Sequence, residues 1–331
     1  MIKKTKKIAA QLIKILFAAG IIYWLVQSGK LNFSALRNLL NPGIMALAAG
    51  IVLVNFFLAS ERWRVLVKSQ GIPAKAWSSF KLTLIGQFFN FAMPGGVGGD
   101  VIKAFYFTRE FPGTKVVAAT SVLIDRVLGL YAMILLAMMV MIYDFAHVSH
   151  VSTLLNLFYF IVALFVVFSV ALGLVFSTKI YDRQVLKRVI NKLPLSEKFM
   201  KIYESLHLYG NHIPRIIQVI VLSLIAQTTA ILFLYMVGVA SGFTDIPAKT
   251  YFLVAPLGFM ATAIPISPAG VGVGQAAFYF LFNVYTGKST DVGPTTITAF
   301  QVCSFVVSLL GAFFYMRYKR PKDISEASDM A

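Results

Sequence analysis

Long apolar runs alternate with short basic or polar connections along this chain. Runs over 8–27, 44–60, 116–143, 154–176, 214–240 and 293–316 carry few charges. Each comes near the roughly 20 apolar residues that a helix needs to cross a bilayer. Two further apolar stretches, 76–115 and 250–290, are interrupted. The first break reads Pro94-Gly95-Gly96-Val97-Gly98-Gly99-Asp100 and the second Pro268-Ala269-Gly270-Val271-Gly272-Val273-Gly274-Gln275. Pro94, Gly96, Val97 and Gly98 match Pro268, Gly270, Val271 and Gly272 at one constant offset. Glycine is costly inside a helix, so the pattern predicts a loop between two half-helices at each break. Paired glycine- and proline-interrupted segments in corresponding halves point to a midplane site between repeats.

The basic residues give each run a direction. Of the 30 Lys and Arg, twenty fall in four places, residues 1–14, 62–75, 179–201 and 317–322. The positive-inside rule makes these cytoplasmic, so both termini are expected inside the cell, in the inner membrane. The loop 144–153 has no Lys or Arg and is expected outside. Residues 76–115 must then begin and end inside, and 250–290 must begin and end outside. Each satisfies this as a re-entrant broken hairpin, over about 76–113 and about 250–288. The expected fold is an all-α polytopic membrane protein with six full transmembrane helices plus two opposed re-entrant hairpins, an inverted repeat. The whole chain reads as a single integral membrane domain. A basic connector over 177–212 has apolar stripes at helical spacing and reads as amphipathic helices on the inner surface or as a solvated connector.

Composition agrees. The chain is 58% hydrophobic with mean hydropathy +0.78, against about 45–50% apolar in soluble domains. Its first residues resemble a signal peptide's basic start, but the run over 8–26 is long enough to span and no small-residue cleavage site precedes Lys30. A first transmembrane helix is expected, with Lys14 snorkelling to the inner face. The single Cys303 excludes an intrachain disulfide and reads as a small packing residue. The net charge of +17 is explained by anionic inner-leaflet lipid, and no nucleic-acid partner is needed.

Candidate chemistry sits at the breaks and in one long run. A half-helix N-terminus presents backbone N–H groups and a partial positive charge, which favour an anion. Such ends fall near Gly98 and Gly274, so Gly95, Gly96, Gly98, Gly99, Ser267, Gly270, Gly272 and Gln275 are candidate binding residues. Lys103 lies one turn after Asp100 and either adds a phosphate contact or pairs with Asp100 structurally. Asp125-Arg126 stands about 15 Å into its helix, near mid-depth. Intramembrane charges face an interior cavity or each other, and adjacent helical positions diverge, so the two should have different partners. Arg126 is the leading anion ligand, or else a structural partner of Asp100, Gln87 or Asn90. Glu61-Arg62-Trp63-Arg64 reads as an interfacial anchor with a belt tryptophan, and Arg62 as a lesser headgroup contact. His147 and His150 have helical metal spacing without a carboxylate cluster, so no metal is expected. No nucleophilic triad, phosphate-binding loop or dinucleotide fingerprint is present, and the chain reads as a non-enzyme without a cofactor.

In combination, Glu61-Arg62-Trp63-Arg64, the Pro94–Asp100 break with Lys103, Asp125-Arg126-Val127-Leu128-Gly129 and Pro265-Ile266-Ser267-Pro268-Ala269-Gly270-Val271-Gly272 resemble the lysylphosphatidylglycerol synthase transmembrane region, or flippase-like domain, family. The resemblance runs from the first helix to the last. Multidomain members attach an aminoacyl-transferring domain, and their membrane part is assigned the flipping of the aminoacylated lipid. This sequence contains no such domain, so the resemblance implies translocation or binding of an anionic lipid rather than synthesis. The alternative is an accessory subunit, or a membrane enzyme, of lipid-linked sugar or headgroup modification. A separate lipid-modifying synthase is an expected partner. Lys103 replaces the family's usual arginine after Gly-Asp. Gln275 replaces an acidic residue often found there, which argues against proton coupling at that position.

Overall fold

The computed structural model describes residues 23, 41–92, 98–177, 204–264 and 267–318. The expected helix over 8–27 apart from Tyr23, most of the 177–212 connector, Gly95, Gly96 and the basic residues after 318 lie outside them. The described residues are helical and contain no strand.

Helix α1, Pro42–Ser69, starts at Asn41, whose side chain accepts the Gly43 N–H at 2.9 Å, with Pro42 in the first turn. It runs well past residue 60, where the apolar run stops. Glu61 and Arg64 pair along the helix, while Arg62 and Trp63 turn into the protein, so polar residues extend the helix instead of ending it. Next come α2 (Ala76–Ala92), α3 (Gly98–Glu110), α4 (Lys115–Tyr143), the short α5 (Phe145–His150) and α6 (Ser152–Phe176). The second half contains α7 (Ile213–Ala240), α8 (Ala248–Ala263), α9 (Val273–Thr286) and α10 (Val292–Met316). Five helices among the described residues are long and apolar enough to cross a membrane: α1, α4, α6, the 204–240 helix containing α7, and α10. The half-helices are shorter, at 17 and 13 residues for α2 and α3 and 16 and 14 for α8 and α9.

The two four-helix units α1–α4 and α7–α10 repeat each other. Shifting α1 to α4 by the Pro94-to-Pro268 offset lays them almost end for end on α7 to α10. Packing repeats too. In both units the half-helices pack together, and the second packs on the following long helix. The first packs on the other unit's long helix, α2 on α10 and α8 on α4. The units join through α1 against α7. There the Asn55 amide donates to Thr229 Oγ1 at 3.0 Å, and the same offset relates these two residues. Pairings along this joint run in opposite senses, Asn55 with Ala226 and Arg62 with Ser223, so α1 and α7 are antiparallel.

The hairpins open at opposite ends of α4. Ser78 at the start of α2 donates to Glu110 at the end of α3 (2.6 Å), just before α4 begins. Lys249 at the start of α8 and Tyr285 near the end of α9 both reach Asp144, just after α4 ends. Close helix crossings depend on small residues. A Cβ on Gly99 would lie 1.8 Å from the Gly86 carbonyl oxygen, so α2 and α3 touch backbone to backbone. Cys303 is half-buried against the core.

Of the expected 177–212 connector, residues 204–212 are described. Tyr209 is fully buried among Leu66, Ile124 and Val219, and Ser205 bonds Thr120 at 2.7 Å. Tyr209, one residue of the expected apolar stripe, therefore packs against protein.

Candidate functional site

Between the inner ends of the two hairpins lies a cavity of about 580 Å³. Its wall takes residues from α1, α2, α3, α4, α6, α8, α10 and the second break. Five charged residues line it: Arg62, Asp100, Lys103, Asp125 and Arg126.

Arg62 crosses from α1 to α4 and holds Asp125 with two bonds, Nε to Oδ1 at 2.7 Å and Nη2 to Oδ2 at 3.0 Å. Gly129, one turn beyond Asp125, makes room for it, since a Cβ there would lie 3.0 Å from Nη1. Arg126 points elsewhere and forms an ion pair with Asp100 in the first turn of α3. The divergence of adjacent helical positions therefore separates the partners, as the spacing implies. Asp100 does not pair with Lys103, because Arg126 reaches it from α4. Lys103 is buried, with Nζ 4.4 Å from the ring centroid of Trp63 and no ion pair among the described residues.

Trp63 is fully buried and its Nε1 donates to Ser121 Oγ at 3.1 Å. The interfacial-anchor reading of Glu61 to Arg64 is thus corrected. With α1 continuing to Ser69, Trp63 becomes the floor beneath Lys103, and Arg62 becomes part of the cavity wall.

The half-helix N-termini carry caps. Gly99 N–H donates to Asn90 Oδ1 at 3.0 Å, and Gly272 N–H to Gln275 Oε1 at 2.7 Å. These amides are already satisfied. Gln275 does not line the cavity. Its amide nitrogen donates to Thr298 and to Gln301 at 2.7 Å, and Gln301 in turn donates to the Ala269 carbonyl at 3.3 Å. Gly270 and Gly272 have φ of +72° and +84°, so the second break needs glycine for its backbone. Of the predicted residues, Arg62, Asp100, Lys103, Asp125, Arg126, Ser267 and Gly270 line the cavity, whereas Gly98, Gly99, Gly272 and Gln275 shape its surroundings. Sequence reasoning missed Asn55, Thr83, Thr262, Gln301 and Ser304 on the wall. A polar side chain within an apolar helix was the available signal.

At the far end, His147 lies in α5 and bonds the Tyr285 carbonyl oxygen at 2.9 Å. Among the described residues no group of three or more His, Cys, Asp or Glu is placed to hold a metal.

Five long apolar helices, with a charged cavity between them, define a multi-pass membrane protein. Residues 11–311 match the family described as lysylphosphatidylglycerol synthase TM region, and the chain belongs to that family. It is also similar to a UPF0104 membrane protein of Methanocaldococcus jannaschii, 30% identical over 89 residues, covering 27% of this chain and 26% of that protein. The match thus spans about a quarter of the relative's length. No solved structure matches the chain.

Proposed function

We propose that the protein takes a phosphate-bearing anionic lipid into the central chamber and carries it across the inner membrane, as a flippase-like translocator. Lys103 carries this reading. Its buried ammonium has no carboxylate at ion-pair distance among the described residues, only the Trp63 ring and the more distant charges of Asp125 and Asp100, so an incoming anion would offset its burial. The chamber's three cations outnumber its two carboxylates, which leaves one positive charge for a phosphodiester to balance. Its apolar wall, including Phe56, Leu130 and Phe300, suits the acyl side of such a ligand. Membership of a lipid-associated membrane family supports the same reading. At the half-helix ends Asn90 and Gln275 each satisfy one backbone N–H, and the end's partial positive charge adds to the field on an anion. The protein acts without catalysis, alongside a synthase that makes the lipid.

In the membrane the proposed arrangement is six full spans, the first over about 8–27, with α2–α3 and α8–α9 as re-entrant hairpins from the inner and outer faces. Half-helices of 13 to 17 residues, at or below the shortest length that spans singly, support it. Single cysteines at Lys75 and Lys115, in a Cys303→Ser background, are expected to label only from the cytoplasm. Those at Lys249 and Lys288 should label only from outside. Opposite-side labelling within either pair would turn that hairpin into a full span.

Lipid binding is tested by native mass spectrometry of the protein purified from its membrane. Retained lipid should be enriched in anionic over zwitterionic phospholipid. Retention in proportion to membrane abundance would contradict the proposal.

A further inference from the structure

Serine and threonine inside helices commonly donate back to a carbonyl three or four residues earlier, as Thr120, Ser121, Ser223 and Thr262 do here. Thr83 on α2, Ser267 in the second break and Ser304 on α10 do not. Each lines the chamber, and each hydroxyl is buried without a hydrogen-bond partner among the described residues. Five other buried hydroxyls of this kind lie away from the chamber. The three on its wall differ from them in sharing one space with the Lys103 ammonium. Rotation about one side-chain bond moves each oxygen among staggered positions. A buried polar group without a partner is destabilising, so a ligand that supplies hydrogen bonds here is favoured.

The carboxylates set the opposite preference. Asp100 and Asp125 line the chamber, and an arginine holds each of them. An incoming ammonium would find no unpaired carboxylate among the described lining residues, and it would meet Lys103. Resting on the reading of the chamber as an anionic-lipid site, we infer that its ligand is a phosphodiester whose headgroup bears neutral hydroxyls, a glycerol or sugar unit, and that ammonium-bearing headgroups are disfavoured. This sets the chain apart from a carrier of aminoacylated lipid, whose cargo carries ammonium groups. A chamber of about 580 Å³ has the size of pockets that enclose ligands larger than a bare phosphate.

The test uses the purified full chain, equilibrated in detergent with equal amounts of phosphatidylglycerol, phosphatidic acid, phosphatidylethanolamine and lysylphosphatidylglycerol. Retained lipid is counted by native mass spectrometry. Phosphatidylglycerol should exceed both ammonium-bearing lipids by at least about fivefold, the ratio that one neutral hydrogen bond supplies. In the Thr83→Val, Ser267→Ala, Ser304→Ala triple variant, the ratio of phosphatidylglycerol to phosphatidic acid should fall by about fivefold or more. Unchanged phosphatidic acid retention in that variant would show that the chamber is intact. Should the triple variant lose phosphatidic acid as well, the three single variants carry the test, and the ratio must fall in at least one. An unchanged ratio in all of them overturns the hydroxyl preference, and equal retention of lysylphosphatidylglycerol overturns the exclusion of ammonium. If wild-type protein keeps phosphatidic acid no better than phosphatidylethanolamine, the underlying anion-site reading fails instead.

Discussion

Replacing Asp125 by alanine is expected to destabilise the protein by about 3–5 kcal/mol, the range for removing one partner of a buried ion pair. The pair belongs to that class, because the Arg62 and Asp125 side chains are only 16% and 10% exposed. Without Asp125, the Arg62 guanidinium keeps Ser223 Oγ at 3.4 Å as a partner and has no paired carboxylate among the described residues. The damage should spread, because Arg62 ties α1 to α4 where α1 also meets α7, the joint between the repeated units. Thermal unfolding in detergent measures the effect. A double variant, Arg62→Met with Asp125→Leu, should recover most of the stability, since an apolar pair of similar volume removes both desolvation costs. An Asp125→Ala protein as stable as wild type would make the bond incidental to the fold.

The second large effect is expected at Lys103. Lys103→Glu reverses the one chamber cation that lacks a carboxylate partner among the described residues and takes the chamber's balance from net positive to net negative. Retained anionic lipid should fall at least tenfold, the ratio of about 1.4 kcal/mol that a charge-assisted contact readily supplies. Zwitterionic lipid should be nearly unaffected. Lys103→Gln is the gentler control, because it keeps an unbranched polar side chain near Trp63 without the charge. It should lose anionic lipid without the repulsion that Lys103→Glu adds. An unaltered anionic-to-zwitterionic ratio in both variants would assign Lys103 to packing against Trp63.

Much of this was legible in the sequence because it rests on local signals. The breaks announce themselves by glycine and proline, and the boundaries of α4, α7 and α10 follow their apolar runs closely. Asp100, Lys103, Asp125 and Arg126 stand out as charges among apolar residues, and all four reach the chamber. The length of α1 was not legible. Hydropathy ends the run at a cluster of charges, and only the partner on α4, distant in sequence, shows that Arg62 is an interior residue. Trp63 failed for the same reason, since a tryptophan beside arginines reads as an interface residue until a neighbouring helix buries it. Gln275 looked like a ligand by its place in the motif. Its side chain instead caps its own half-helix, a local hydrogen bond that competes with any role on the chamber wall. The Asn55–Thr229 contact was missed too, because a polar residue in an apolar helix signals burial but does not name its partner on a helix distant in sequence.

The central claim is that an anionic lipid passes through the chamber. It is tested most directly by transbilayer movement of a labelled phosphatidylglycerol in vesicles containing the purified protein. The account predicts faster equilibration between leaflets with wild-type protein than in empty vesicles, and a return towards the empty-vesicle rate with Lys103→Glu at equal reconstitution. Wild-type vesicles that equilibrate no faster than empty ones, or a Lys103→Glu protein as fast as wild type, would contradict it.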